Sequence, residues 1–361
     1  MIITFPHMGT MHVTLEALFK SLGAQVMPPP PITKRTLALG MKHAPETACL
    51  PLKITLGNFI EALEAGADTI VTCGGVGPCR LGYYASVQKN ILEELGFNFK
   101  MMILEADVKD ILKSLQYVAP KRNWWQIYQA FRFAGAKMSA LDCLERTVSS
   151  LRPREKVTGT VDNIWQQAIN SFSAAQNLQE VKDFLTEFNN RLAMVEQKAY
   201  YNPLRIGVLG EIYVMLEPFV NFDLTRRLGN MGAEVYKYMH LSDYVRGHLL
   251  KKREYIKSYQ QIIGLAMPYL RHYVGGHGIK SIGCAVQAGQ DGFDGIVHVF
   301  PFTCMPEIIA KNILPQVSKQ ENIPILSLAF DEQSGEAGII TRLEAFIDLL
   351  QYRRLKCTAR L

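Results

Sequence analysis

Short apolar runs of strand length alternate with amphipathic stretches from the first residues of this chain, and no other feature limits its folding options as much. Residues 2–5, 24–27, 68–72 and 100–104 read as buried strands, and residues 10–22, 54–65 and 84–95 carry helical periodicity between them. That spacing belongs to βαβ units, whose crossover helices cover both faces of a parallel sheet. Pro28, Pro29, Pro30 and Pro31 can continue neither a helix nor a central strand, so they predict an extended surface connection.

Beyond about residue 108 the strand signal fades. Residues 124–151 and 161–199 are helical in pattern, with Pro153 and Gly159 as punctuation between them. The α/β rhythm restarts at residues 204–209, with further strands expected at 233–238, 295–300 and 324–330 and a last helix over 342–353. The expected architecture is therefore an α/β protein with two Rossmann-like parallel-sheet domains facing across a cleft. They span residues 1–120 and 201–361, with a helical connector over 121–200. The halves look alike in architecture, without a repeat at the level of residues.

A chain of 361 residues, 48% hydrophobic and 20% charged, has enough apolar material for two cores. Its formal net charge of +6 suits a small anionic ligand or an acidic partner. The basic residues are scattered and form no dense stripe interleaved with aromatics, which argues against nucleic acid. No run approaches the roughly 18 apolar residues that a membrane span needs, and the opening residues lack a cationic stretch followed by an apolar one. A cytoplasmic location is expected. Thiols stay reduced there, so the seven cysteines are better explained as metal ligands or small buried hydrophobes than as disulfides.

Three cysteines each lie within two residues of a proline: Cys49 before Leu50 and Pro51, Cys79 after Pro78, and Cys304 before Met305 and Pro306. Cys79 and Cys304 follow buried-strand runs, and loops beyond the carboxyl ends of parallel strands are where α/β proteins hold their chemistry. In Cys73-Gly74-Gly75-Val76-Gly77-Pro78-Cys79-Arg80, Gly75 and Gly77 allow the backbone to bring N–H groups close to an anion or to cluster sulfides. A plain tight turn is the alternative. Neither a dinucleotide fingerprint nor a P-loop is present. Cys304 lies near the positive end of a helix starting at about Pro306, where a thiolate is favoured.

Local zinc sites take close cysteine pairs, and the chain has no Cys-x-x-Cys. Ligands drawn from distant loops fit a buried iron–sulfur cluster, with packing as the alternative for any one thiol. Of the others, Cys73 reads as strand-end core, Cys143 as a buried helix position, Cys284 as part of an apolar helical stretch and Cys357 as incidental. Gly210, Glu211, Glu217, Asn221 and the polar segment 331–336 would line the cleft, with capping the competing role for Asn221 and Ser334. His7, His12, His43 and His298 lack metal-type pairing, and His7, just after the first strand, is the one placed for chemistry.

The chain resembles the acyl-CoA dehydratase activase-related proteins, relatives of 2-hydroxyacyl-CoA dehydratase subunits and double-cubane cluster proteins. The strings that carry this are Thr4-Phe5-Pro6-His7-Met8-Gly9, Ala48-Cys49-Leu50-Pro51-Leu52-Lys53, Gly74-Gly75-Val76-Gly77-Pro78-Cys79-Arg80, Gly207-Val208-Leu209-Gly210-Glu211-Ile212-Tyr213, Pro301-Phe302-Thr303-Cys304-Met305-Pro306-Glu307 and Asp331-Glu332-Gln333-Ser334-Gly335-Glu336-Ala337-Gly338. The resemblance implies a [4Fe-4S] cluster held by Cys49, Cys79 and Cys304, or a larger double-cubane cluster if Cys73, Cys143 or Cys284 take part. It implies a separate ATP-hydrolysing activase as electron donor, an acyl-CoA or other small reducible substrate, and compatibility with a dimer. An Asp-x-Gly-Ser/Thr phosphate loop is absent from the sequence, so the chain looks like the electron acceptor and not the ATPase. Whether it is a reductive enzyme or a non-catalytic cluster carrier stays open at this point.

Overall fold

A computed structural model describes residues 1–75, 78–104 and 108–358. The elements in chain order are β1 (Ile2–Thr4), α1 (Met11–Ser21), β2 (Gln25–Val26), α2 (Lys34–His43), α3 (Leu50–Glu64), β3 (Thr69–Cys73), α4 (Leu81–Glu94), β4 (Lys100–Leu104) and α5 (Val108–Val118). The helices α6 (Trp124–Leu151), α7 (Thr160–Ala174) and α8 (Leu178–Ala193) follow. Then come β5 (Leu204–Gly210), α9 (Ile212–Leu216), α10 (Leu224–Asn230), β6 (Ala233–Lys237), α11 (Leu241–Tyr244), α12 (Arg253–Ala266), α13 (Gly278–Gln290), β7 (Gly295–Pro301), α14 (Met305–Gln320), β8 (Ile325–Phe330) and α15 (Glu336–Thr358).

All described strand pairs are parallel. They form two four-stranded sheets of one topology, β2-β1-β3-β4 and β6-β5-β7-β8. The expected pair of Rossmann-like parallel sheets is what the chain builds. In β3, Ile70 faces a cluster with Leu56, Phe59, Ile60 and Leu92, while its neighbour Val71 faces Ile3, Phe5, Phe19, Leu115 and Ile127. Alternate residues thus serve cores on opposite faces. All seven residues of β7 are buried, as in a sheet covered on both sides.

The chain divides into two compact units. The first comprises Met1–Asp142, Ile169–Phe184 and Leu241–Lys252, and the second Cys143–Ala168, Leu185–His240 and Arg253–Leu361. The helical stretch 121–200 is shared between them, with the first boundary falling inside α6.

Each unit carries the same helix pair ahead of its third strand. In the first, α2 packs so closely on α3 that a Cβ on Gly57 would stand 1.9 Å from the Thr36 carbonyl oxygen. In the second, a Cβ on Gly283 of α13 would stand 2.0 Å from the Ile262 carbonyl oxygen of α12. The residue-level repeat that the sequence lacks is present as architecture.

Candidate functional site

In each sheet the strand order reverses between the first and third strands of the unit, β1 and β3 or β5 and β7. At such a switch point the loops leave in opposite directions and open a crevice beyond the carboxyl ends. The described loop residues there are 5–10, 74–75 and 78–80 in the first unit, and Glu211 with residues 302–304 in the second.

Cys49 is the N-cap of α3, with extended backbone (φ −73°, ψ 153°) and a proline in the first turn. Proline suits that position because the N–H it lacks has no partner within the helix. Cys49 is buried with Leu52 and Tyr84, its sulfur against the Tyr84 hydroxyl. Cys79 directly precedes Arg80, the N-cap of α4, and is partly exposed. Arg80 donates to the Thr47 carbonyl at 2.8 Å, which ties the Cys79 loop to the Cys49 loop. Gln88 of α4 secures the pair further, donating to Thr55 Oγ1 at 2.7 Å and the Leu52 carbonyl at 3.3 Å on α3.

Cys304 is the N-cap of α14, again with a proline in the first turn. Neither Cys49 nor Cys304 uses its side chain to cap its helix. All three thiols thus sit at or next to helix N-termini, where the positive end of the dipole stabilises a thiolate.

Cys79 and Cys304 occupy the same topological position, after the third strand of their units. The place of Cys49, N-cap of the helix before the third strand, is taken in the second unit by His277, the N-cap of α13. Gly276 and Gly278 on either side of His277 lie against Pro306, so α13 and α14 begin side by side near Cys304. No motif in the sequence marks His277.

Gly75 lies in the loop after β3, and a Cβ there would meet Gly82 at an ordinary 3.5 Å. The tight position is Gly82, where a Cβ would stand 2.6 Å from the Gly75 carbonyl oxygen. Gly77 lies outside the described residues. Cys73 and Cys143, expected to be buried, are both exposed. Cys73 is the last residue of its strand, beyond the covered part of the sheet, and Cys143 occupies an outward position on α6. Cys284 is buried as expected, and burial, opposed by Lys280 and reinforced by Glu307, pushes its thiol up to about 12. The side chain of Cys357 lies outside the described residues.

Thiols are the donor type that an iron–sulfur cluster takes. Cys49 and Cys79 belong to the first unit and Cys304 to the second. Among the described residues, no three His, Cys, Asp or Glu side chains form a group that could hold a metal ion.

Sequence reasoning missed a buried polar cluster in the second unit. His298, in the middle of β7, is fully enclosed, with Nε2 2.8 Å from Glu307 Oε2 and Nδ1 3.2 Å from Ser327 Oγ of β8. Ser281 of α13 donates to Glu307 Oε1 at 3.2 Å. His298 lacks metal-type pairing in the sequence, and its partner is this carboxylate from the first turn of α14. Glu211 follows Gly210, whose φ of +137° and contact with Val299 exclude any side chain. The Glu211 carboxylate accepts from the N–H groups of Tyr213 and Val214, both at 3.0 Å. Burial pushes it up to about 7, against those two bonds and with help from the Glu307 charge.

The other polar candidates are structural. Asn221 accepts from the Leu224 N–H at 3.1 Å and donates to the Val214 carbonyl at 2.6 Å. Ser334 closes a turn on Asp331. Buried Glu217 accepts from the Phe219 N–H at 3.1 Å. His7 stacks on His12 with ring centroids 5.4 Å apart. A cavity of about 120 Å³ beside the edge strand β6 is lined by Arg146, Arg205, Lys237 and His240 among others. Lys237 there pairs with Glu145, and Arg205 lies 4.4 Å over the Phe293 ring. No described helix is long and apolar enough to cross a membrane.

Residues 6–72 match the family described as CoA enzyme activase uncharacterised domain (DUF2229). The match runs from the end of β1 through Cys49 into β3, a minor part of the chain. No curated protein matches the chain.

Proposed function

We propose that this chain is an iron–sulfur protein that accepts a low-potential electron from a separate ATP-hydrolysing activase and uses it for reductive chemistry on an acyl-CoA or similar small substrate. The observation that carries this is the placement of thiols: Cys79 and Cys304 at equivalent strand ends of two like units, and Cys49 bonded through its loop to that of Cys79. The activase description of the matched family supports the choice of electron donor.

Cys49, Cys79 and Cys304 are the proposed ligands. A [4Fe-4S] cluster bound by three thiolates supplies one electron at low potential and an iron with a coordination position left for substrate oxygen. The chain's own contribution is to present the thiols at helix N-termini and, through Tyr84 and Arg80, to fix the first two loops. A 2-hydroxyacyl-CoA thioester is the substrate class that the chain's resemblance favours.

Anaerobically purified protein is expected to carry iron and sulfide that fall sharply in Cys49→Ala, Cys79→Ala and Cys304→Ala but not in Cys143→Ala. Unchanged iron in all three variants overturns the ligand assignment. Loaded protein offered 2-hydroxyacyl-CoA esters with activase and ATP is expected to release enoyl-CoA. Electron uptake without turnover would make it a cluster carrier instead.

A further inference from the structure

Away from the thiol loops, the second unit holds a cavity of about 120 Å³ along the free edge of β6. Arg146 near the end of α6, Arg205 of β5 and Lys237 of β6 line it, against a single carboxylate, Glu234. That carboxylate is already engaged: it accepts from Arg154 Nη2 at 2.6 Å and from Ser150 Oγ at 2.9 Å. Lys237 is nearly enclosed, whereas a lysine on an edge strand ordinarily extends into water. Glu145 of α6 fixes it: one carboxylate oxygen pairs with Lys237 Nζ, and the other lies 3.9 Å from Nε2 of buried His240. Arg205 is held by the Asp291 carbonyl at 3.2 Å and by the Phe293 ring, contacts that bring no negative charge. The backbone adds donors. The Tyr238 N–H bonds to the Val208 carbonyl of β5 at 2.9 Å, so the alternation of a parallel ladder turns the N–H groups of Val235 and Lys237 to the open edge. A lining this rich in cations and donors, whose one acid has its own arginine, suits an anion.

We propose that this cavity binds a phosphate dianion, free or as the terminal group of a small phosphate ester, through Arg146, Arg205 and Lys237. The two guanidinium groups offer paired N–H donors that match phosphate oxygens, and Lys237 adds a compact charge. The volume approaches the roughly 150 Å³ that encloses benzene in a protein interior, so it takes the phosphate and not a whole nucleotide. The organic part of an ester extends past half-exposed Tyr236, whose ring packs at 5.9 Å and 67° against Phe293 and keeps a face for stacking. The cavity lies at the sheet edge and the thiols at strand ends, so this site does not depend on the function proposed above.

Equilibrium dialysis of the full chain against radiolabelled inorganic phosphate, and separately against radiolabelled AMP, tests this at physiological salt. Saturable binding of one equivalent is expected, weakened about tenfold or more in Arg146→Gln and in Arg205→Gln. It should be unchanged in Lys89→Gln, an exposed lysine of α4 in the first unit. Both arginines are open to solvent along part of their length, so their glutamine variants are expected to fold, with circular dichroism as the check. If one does not, the other decides. AMP held more tightly than phosphate, with the margin lost in Tyr236→Ala, assigns the site to an ester, and an affinity no higher than that of phosphate assigns it to the free anion. No saturable binding of either in the millimolar range overturns the proposal, as does undiminished binding in the arginine variants. An equal loss in Lys89→Gln also overturns it, since that would mean diffuse attraction to a basic protein.

Discussion

Glu211 and Glu145 are both half-buried carboxyls of the second unit, and their neighbours send them in opposite directions. Burial disfavours charge on both. At Glu145 the charges of Lys237, His240 and Arg152 outweigh it and hold the carboxyl below its ordinary value. At Glu211 burial wins, and the Glu307 charge adds to it. A raised carboxyl binds its proton more tightly folded than unfolded, so its stabilising contribution is present below the unfolded value of 4.5 and is lost as pH rises to about 7. The span is worth on the order of 3 kcal/mol. In urea denaturation, wild type minus Glu211→Gln is expected to fall by that order between pH 4.5 and 7.5, and a flat difference would show an ordinary carboxyl. None of this was legible in the sequence, because the deciding factor, burial, is set by packing among residues remote in the chain. The three proline-flanked cysteines were legible because proline marks helix starts locally. The exposure of Cys73 and Cys143 was not, since Ile70 and Val71 before the one and Leu141 and Leu144 around the other suggest burial, and only the packing decides which way each side chain faces.

At the scale of elements, the helix pairs preceding the third strands set where two of the N-caps at issue, Cys49 and His277, come to rest. Gly57→Ala forces α3 away from α2, because the atom it meets is a backbone oxygen that cannot rotate aside. Overpacking of this kind costs about 1–3 kcal/mol, and a carbonyl contact belongs at the upper end. Gly264→Ala in α12 is the matched control: nothing lies within 4 Å of the added Cβ, so it should gain about 0.5–1 kcal/mol from helix propensity. Urea midpoints should move in opposite directions, and equal shifts would refute the packing account.

All eight described strands coincide with their apolar runs to within a residue at each end, and β2, Gln25–Val26 against residues 24–27, is shorter by one at both ends. Helix ends were less legible. α2 was missed behind the prolines, although Thr33 and Thr36 form a capping box. The helix expected over 161–199 breaks after α7, where Asn177 accepts from the Glu180 N–H at 3.0 Å and Glu180 from the Gln176 N–H at 2.7 Å. α15 begins at Glu336, inside a glycine-bearing segment that reads as loop.

At the scale of the molecule, the chain crosses between its two units at residues 142, 168, 184, 240 and 252. The periodicity that shows each sheet is local and carries no trace of this interleaving. A cut at 200 therefore removes partners from both units. Fragment 201–361 would keep Lys237, nearly enclosed, without Glu145, and Glu234 without Arg154 and Ser150, which bond it at 2.6 and 2.9 Å. A buried charge stripped of its partner costs about 3–5 kcal/mol, a large share of the stability of an ordinary domain. Fragment 1–200 would lose residues 241–252, whose Ser242 N–H bonds Asp142 at 2.7 Å and whose Arg246 bonds Ser139 at 2.7 Å. A fragment ending at 120 would also lose Ile127, Ala130 and Ala134 from the core around Phe5 and Phe19. Separately expressed fragments 1–200 and 201–361 are expected to melt without cooperativity by circular dichroism, and Lys237→Met is expected to recover part of the transition in the second. A sharp, fully reversible transition in unmodified 201–361 would mean that its sheet folds without α6, and that the contacts of Glu145 and Arg154 contribute little to the second unit.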